Sequence, residues 1–506
     1  MLRLKAIQAR HMVILICVLA FIAYSYPALT APRASISPDE VVNSYFAEVY
    51  AETGELKYQS AFANIDPFFF RPRGTVVVDD QYVAPGKFLG YPIIVGTIGR
   101  FISMDVSVFV IPFFSAISVY YFFLFVRREF DQKIALISSS VMVIASSYWY
   151  WSTMYWYEDA LAIFFLFGGM NYLFRGIEEP SFRSLCLSSL MFGTTVIIKP
   201  YYAVVLLPFL AVVLLSKKVD LKHALLSATP FLFLTFIFLL ANHYTYGSWF
   251  VTGFHLTYDI GQDLIPSSKQ YEIAIAASNY MDYFLFIFPA SLFGILGIIN
   301  YASIFHKTRK RLPLFFIIVA IVLTGYVFVL SGTSNLTDVH HSAIRYLIFV
   351  HLLLVPFAAY FVLSIGRIRP FIAVILCMAL ILPNIAIVTS SEQIVSSRTR
   401  YASYTSYIDA RIDRNSVIIC QYVDKIYFPS MLTGNPAFLR SDNRESLCAN
   451  ITEELLQNGI SVYLVMDISG NASAIDYAVY EDYLNARGLI LAPFRPSMGF
   501  FRVVPE

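Results

Sequence analysis

Apolar stretches of about 18 to 22 residues recur through the first 390 positions of this 506-residue chain, and each is long enough as a helix to cross a hydrocarbon core of about 30 Å. A chain written this way has the bilayer as its main solvent. A water-soluble protein of this length has no use for 58% apolar residues beside only 14% charged ones. Candidate spans fall at 12–30, 105–126, 134–154, 156–174, 184–198, 200–216, 224–242, 281–304, 314–331, 345–365 and 371–390. The expected fold class is mainly α, a polytopic membrane helical protein of about eleven spanning helices. The first span also has the basic start of a signal peptide and small residues after it, at Ala28 and Ala31, although a length of about 19 favours an anchor.

Basic residues assign the two sides. Segments holding Arg3, Lys5 and Arg10, then Arg127, Arg128 and Lys133, Arg175 and Arg183, Lys217, Lys218 and Lys222, Lys307, Arg309, Lys310 and Arg311, and Arg367 and Arg369 all fall on one side of the membrane. The short opposite loops hold only Lys269. Excess positive charge marks the cytoplasmic side, which puts the N-terminus in the cytoplasm and leaves residues 31–104 and the tail after 390 outside. Long translocated loops are exempt from the charge rule, and the sequons at Asn335, Asn450 and Asn471 also fall outside. Segments 184–198 and 200–216 are short and read as a helical hairpin turning at Lys199-Pro200, where proline breaks the helix. The lysine then lies at membrane depth or at the outer surface.

The chain divides into residues 1–390, a transmembrane domain with a large first outer loop at 31–104, and residues 391–506, a C-terminal extramembrane α/β domain. In the tail, strand-like runs at Ser416–Cys420, Pro436–Arg440, Val462–Met466, Leu489–Pro493 and Gly499–Val504 alternate with helix-like stretches at 444–458 and 475–487. It contains nothing like a nucleotide-binding loop, and no feature of the chain points to a nucleic-acid partner. Cys420 and Cys448 fit a disulfide if the tail lies in an oxidising compartment, and are otherwise two separate thiols.

Ionisable residues at the mouths of apolar helices are costly, and function is their default explanation. The first outer loop opens with Ser37-Pro38-Asp39-Glu40, followed by Val41, Val42, Tyr45, Phe46 and Val49 at helical spacing. Proline and acids suit a helix start, so the same residues also read as the beginning of an amphipathic interfacial helix. A Pro85-Gly86-Lys87 turn precedes the second span. Glu158-Asp159 opens the fourth span, Lys199 marks the hairpin turn, and His340-His341 followed by Arg345-Tyr346 opens the tenth from the outside. Lys87 and Arg345 also suit snorkelling to the headgroup region. Adjacent histidines with no third ligand make a poor metal site, so no metal and no cofactor is expected. An interfacial belt explains most of the dense aromatics at 148–157, with one or two of them also suited to stacking on a sugar.

An acidic pair just after the first span, a large first outer loop, a Pro/Gly/Lys turn before the second span and an Arg-Tyr at an outer helix start together resemble the GT-C glycosyltransferases. Within that superfamily the chain is similar to the protein O-mannosyltransferase and aminoarabinose-transferase branch, over about residues 1–390. The resemblance implies a sugar donor carried on a polyprenyl or dolichyl phosphate, membrane lipids as surroundings, and a glycan, protein or lipid acceptor. It implies Asp39 as catalytic base with Glu40 orienting Asp39 or the acceptor. Lys87 and Arg345, with Lys199 as a further candidate, would bind the phosphate, while Glu158 and Asp159 would bind the acceptor or shape the pocket, and equally read as a solvated helix start. A transporter or flippase of polyprenyl-linked glycans would use the same lipid, but it predicts internal symmetry and acids deep within several spans.

Overall fold

The computed structural model describes residues 2–59, 65, 70–71, 74–203, 206, 219–258, 289–308, 339–388, 391–413, 416–420, 437–440, 445–465, 477–495 and 500–506. Expected span 314–331 and most of 200–216 lie outside them. The chain is mainly helical. In order it runs α1 Leu2–Tyr24, α2 Tyr26–Thr30, α3 Pro38–Thr53, β1 Tyr58–Gln59, β2 Thr75–Val78, β3 Tyr82–Pro85, α4 Gly90–Phe101, α5 Val110–Glu129, α6 Gln132–Ile144, α7 Ser146–Thr153, α8 Glu158–Glu178 and α9 Phe182–Ile198. Then follow α10 Leu221–Ser227, α11 Thr229–Tyr246, α12 Gly253–Tyr258, α13 Pro289–Thr308, α14 Val339–Gly366, α15 Pro370–Val388 and α16 Ser391–Arg411. The chain ends with β4 Ser416–Cys420, β5 Ala437–Arg440, α17 Glu445–Gln457, β6 Ser461–Val465, α18 Tyr477–Asn485, β7 Leu489–Arg495 and β8 Phe500–Pro505. Two compact units result, one made of residues 1–30, 108–238 and 260–393, the other of residues 31–107, 239–259 and 394–506.

The first unit is a helical bundle. Among the described residues, four helices are long and apolar enough to cross a bilayer: Met104–Glu129, Glu158–Glu178, Lys222–Tyr246 and Ile348–Gly366. Five more apolar helices are shorter, at Ala9–Tyr24, Gln132–Ile144, Phe182–Ile198, Ala290–Tyr301 and Pro370–Leu382. The single span expected over 134–154 is broken at Ala145, whose ψ of 119° takes it out of the helix between α6 and α7. Neither proline nor glycine marks that break, so the local sequence gives no sign of it. The first span likewise ends at Tyr24, with Pro27 in the short helix that follows. Helix α8 is central and packs against α9, where Gly168, Gly169 and Gly176 leave space that Met191, Phe192 and Leu185 fill. Lipid tails are as apolar as leucine, so such close approach, with its dispersion contacts, is what associates helices here. Polar links add to it: Ser188 Oγ donates to Gly169 O at 2.8 Å, and Asn171 Nδ2 donates to Tyr121 O of α5 at 2.7 Å. Outward, Leu15, Val18, Leu19 and Ile22 of α1 and Leu232, Phe233 and Phe236 of α11 stand exposed, as lipid-facing side chains do. The chain is an integral membrane protein.

The second unit holds two sheets. A three-stranded antiparallel sheet, β1-β3-β2, turns from β2 to β3 through Asp79 and Asp80, both left-handed with φ of 53° and 54°. Two successive positive φ values suit the right-handed twist of a tight hairpin, and aspartate is among the few non-glycine residues that adopt them. The tail forms a five-stranded sheet, β5-β4-β6-β8-β7, parallel from β5 to β6 and antiparallel from β6 to β7. Its strands and helices occupy the places that the alternating runs predict. The core under this sheet gathers Val417, Ile419, Ala449, Leu455, Leu464, Tyr480 and Val503, and Phe70 from the first outer loop is buried in the same cluster. Cys448 is buried here too, while the Cys420 side chain lies outside the described residues.

Candidate functional site

Helix α3 starts where the sequence places it. Ser37 is extended and its hydroxyl accepts from the Glu40 N–H at 3.2 Å, with Pro38 in the first turn. The apolar spacing of Val41, Val42, Tyr45, Phe46 and Val49 serves a protein core, closed by Val83 of β3. Asp39 and Glu40 leave the helix about 100° apart, as neighbours on 3.6-residue turns must, and their surroundings differ accordingly. The Asp39 carboxylate keeps 22% of its side-chain surface open and meets Lys87 Nζ at 2.5 Å. Glu40 has no exposed surface. Its Oε2 accepts from the Ile36 N–H at 2.9 Å, and its Oε1 accepts from Arg398 Nη2 at 2.6 Å. Arg398 is itself fully buried and donates through Nη1 to the Ala34 carbonyl. The two acids expected to work side by side therefore separate. Glu40 is enclosed by the protein's own donors, a setting suited to fixing the helix start rather than meeting a substrate.

Lys87 is placed by a turn that is itself held. Gly86 N–H donates to Gly74 O at 2.8 Å as β3 ends. On the other side, Tyr246 at the end of α11 donates its hydroxyl to Pro85 O at 2.7 Å and to Lys87 O at 3.2 Å, and Thr257 donates to Gly86 O at 3.1 Å. Phe254 stacks on Phe88 with centroids 5.4 Å apart. Gly253 presses so closely on this turn that a Cβ there would lie 2.7 Å from Lys87 N and 2.7 Å from the Tyr246 hydroxyl. Gly253→Val is expected to cost about 1–3 kcal/mol through overpacking, measured as a lower thermal midpoint of the purified protein. A midpoint equal to that of the unaltered chain would show that the turn yields freely. Tyr246, Gly253 and Thr257 have no charge and no motif around them, so nothing in the sequence marks them.

Residues 97–246 match the family model described as dolichyl-phosphate-mannose-protein mannosyltransferase. The backbone is similar to that of the Archaeoglobus fulgidus oligosaccharyltransferase in the apo form, with a TM-score of 0.57 and 11% identity over 90% of this chain and 69% of that one. It is also similar to the archaeal oligosaccharyltransferase AglB from Archaeoglobus fulgidus in complex with an inhibitory peptide and a dolichol-phosphate, with a TM-score of 0.56 and 11% identity over 97% of this chain and 74% of that one. ArnT from Cupriavidus metallidurans bound to undecaprenyl phosphate is matched from end to end, over 97% of both chains, with a TM-score of 0.54 and 11% identity. The fold is of the GT-C type. No curated protein matches the chain in sequence.

In this GT-C fold the matched stretch contains Glu158, Asp159 and Lys199 and leaves out Asp39, Glu40, Lys87 and Arg345. Lys199, at the C-terminal end of α9, is buried; its ammonium binds Asp159 and lies 3.4 Å from Glu158 Oε1, both acids being in the first turn of α8. Each charge sits at the helix end whose dipole favours it: acids at an N-terminus, the lysine at a C-terminus. Lys199 also lies over the Tyr201 ring at 5.5 Å. Lys199→Met would leave two buried carboxylates without this ammonium, at an expected cost of about 3–5 kcal/mol. The thermal midpoint should fall and should recover in part when Asp159→Asn is added. No recovery would mean the three charges are not coupled. Arg345 lies on α14, with its side chain outside the described residues, as are those of His340 and His341. Among the described residues, no cluster of three His, Cys, Asp or Glu side chains is placed to hold a metal.

Proposed function

We propose that this chain is an inverting glycosyltransferase that moves a sugar, mannose or a related hexose or pentose, from a polyprenyl- or dolichyl-phosphate donor to an acceptor at the outer membrane face. The observation that carries the reading is the Asp39–Lys87 pair, a carboxylate with open surface against an ammonium held by a clamped turn. The pair contains the two charges such a transfer needs. Asp39 takes the proton of an acceptor hydroxyl as its oxygen forms the bond to the anomeric carbon from the face opposite the phosphate. The anomeric C–O bond to phosphate breaks, the electron pair leaves with the lipid phosphate, and the configuration inverts. Lys87 offsets the negative charge that grows on the phosphate.

The reading carries an order of events. Without donor, the Lys87 ammonium rests on Asp39. An incoming phosphate competes for that ammonium, and as Lys87 turns to it, Asp39 loses this counter-charge and takes the acceptor's proton. Glu40 in this reading positions Asp39, while Glu158, Asp159 and Lys199 shape the membrane part. Arg345 enters as a phosphate-binding residue only through the resemblance. The match to a dolichyl-phosphate-mannose-protein mannosyltransferase model and the lipid phosphates bound by AglB and ArnT support the donor class. The topology that goes with it has a cytoplasmic N-terminus, with residues 31–104 and the tail outside. The test is transfer in proteoliposomes from a panel of polyprenyl-phosphate sugars, with peptide, glycan and lipid acceptors. One polyprenyl phosphate should be released per sugar transferred, with the anomeric configuration inverted. Failure of every donor with every acceptor class would overturn the reading.

A further inference from the structure

We infer that Arg398, in the C-terminal segment, is a positioning residue for Asp39, acting through Glu40 and the backbone at Ala34; the inference rests on the proposed transferase reading for its catalytic consequence. Asp39 belongs to the first turn of α3, and that turn needs something to stop it fraying, since the first N–H groups of any helix lack internal partners. Ser37 supplies one acceptor. Glu40 adds restraint, reaching back to the Ile36 N–H and across to Arg398, 358 positions later in the chain. Arg398 uses two nitrogens in different directions: Nη2 binds the Glu40 carboxylate and Nη1 binds the Ala34 carbonyl, so one guanidinium ties together the chain entering α3 and its first turn. A lysine, with a single nitrogen, cannot span both acceptors with that geometry.

Burial makes this device expensive. Both side chains have zero exposure, and two charges out of water repay their desolvation only with good geometry and further hydrogen bonds. A helix start needing stability alone would be served as well by apolar packing of similar volume. A buried ion pair adds direction, because it is satisfied in one arrangement and heavily penalised in any other. The residue whose direction it sets, one position away on the helix, is Asp39. The same part of the chain is tied a second time, since Phe70 of the first outer loop is buried among Val417, Ile419 and Leu464 of the tail sheet. The C-terminal segment therefore belongs to the structure that carries Asp39, and removing it would remove Asp39's support along with any role of its own.

The test uses the full-length protein in nanodiscs and compares Arg398→Met, Arg398→Lys and Glu40→Gln by hydrogen–deuterium exchange and by transfer kinetics. Exchange needs no substrate. With Arg398→Met, amides over 37–43 should exchange at least about tenfold faster, an opening of about 1.4 kcal/mol, while those of β6 and α17 in the tail core stay as protected as before. Equal loss of protection in the tail core, or no change at 37–43, would overturn the positioning role. In kinetics, kcat should fall about tenfold or more with the donor KM nearly unchanged, and Arg398→Lys should recover part of the loss. Unchanged kcat in Arg398→Met, with Asp39→Asn inactive in parallel, would also overturn it. If the unaltered protein transfers no sugar from any donor, the transferase reading fails while the exchange result still decides whether Arg398 holds the start of α3.

Discussion

Replacing Asp39 by asparagine is expected to lower sugar transfer by about 10²–10⁴-fold, the range a well-placed general base contributes. Asparagine keeps the size and shape of the side chain, and Asp39 is partly open to solvent, so folding should be nearly untouched. The accompanying binding result is more specific. With the carboxylate gone, Lys87 has one counter-charge fewer, and a polyprenyl phosphate no longer has to compete with Asp39 for its ammonium. Undecaprenyl phosphate should therefore bind the Asp39→Asn protein as tightly as the unaltered one or more tightly, while turnover collapses. Transfer within about twofold of normal would remove Asp39 from the chemistry. Weaker binding would mean that Asp39 and the phosphate do not share Lys87.

Replacing Lys87 by methionine should show the reverse pattern in binding and a comparable loss in rate. A fixed cation at a developing negative charge contributes about 10²–10³ in kcat, and the ground-state phosphate should also bind more weakly. Stability should fall by less than with Lys199→Met, because the Lys87–Asp39 pair keeps 12% and 22% of its side-chain surface open, and leaving a fully enclosed charge unpaired costs most. This contrast separates Lys87 from Lys199, whose removal is expected to act on stability first. Lys87→Arg retains the charge on a longer, planar head, and the clamped turn leaves its backbone no freedom to adjust. It should recover binding better than turnover. Equal binding of undecaprenyl phosphate by the methionine variant and the unaltered chain would show that the lysine holds Asp39 and does not meet the donor.

The pairings behind these expectations were only partly legible in the sequence. The start of α3 was readable because a proline and two acids are local signals that act within one turn, and the tail strands were readable because alternation is local too. Asp39 and Lys87 were each recognisable as charges beside apolar helices, but their 2.5 Å contact depends on how β3 returns alongside α3. Arg398 carried no signal at all: a single arginine in a polar helix reads as solvated surface, and only the chain path that delivers it to Glu40 shows it buried. The same holds for Tyr246 and Gly253, whose neighbours along the chain say nothing about Pro85 and Lys87. The break at Ala145 went unseen because no helix-breaking residue causes it.

The sequence by itself determined the solvent, the helical class, the alternating α/β character of the tail and the acids at the start of α3, because each is a property of runs or turns a few residues long, where hydrophobic period, capping and charge act directly. The tertiary structure decided which of two adjacent acids faces outward and which is locked to an arginine far along the chain. It also decided that Lys87 sits on a clamped turn and Lys199 in a buried group of charges. Those outcomes depend on burial, and burial is set by what packs against a residue from elsewhere in the chain.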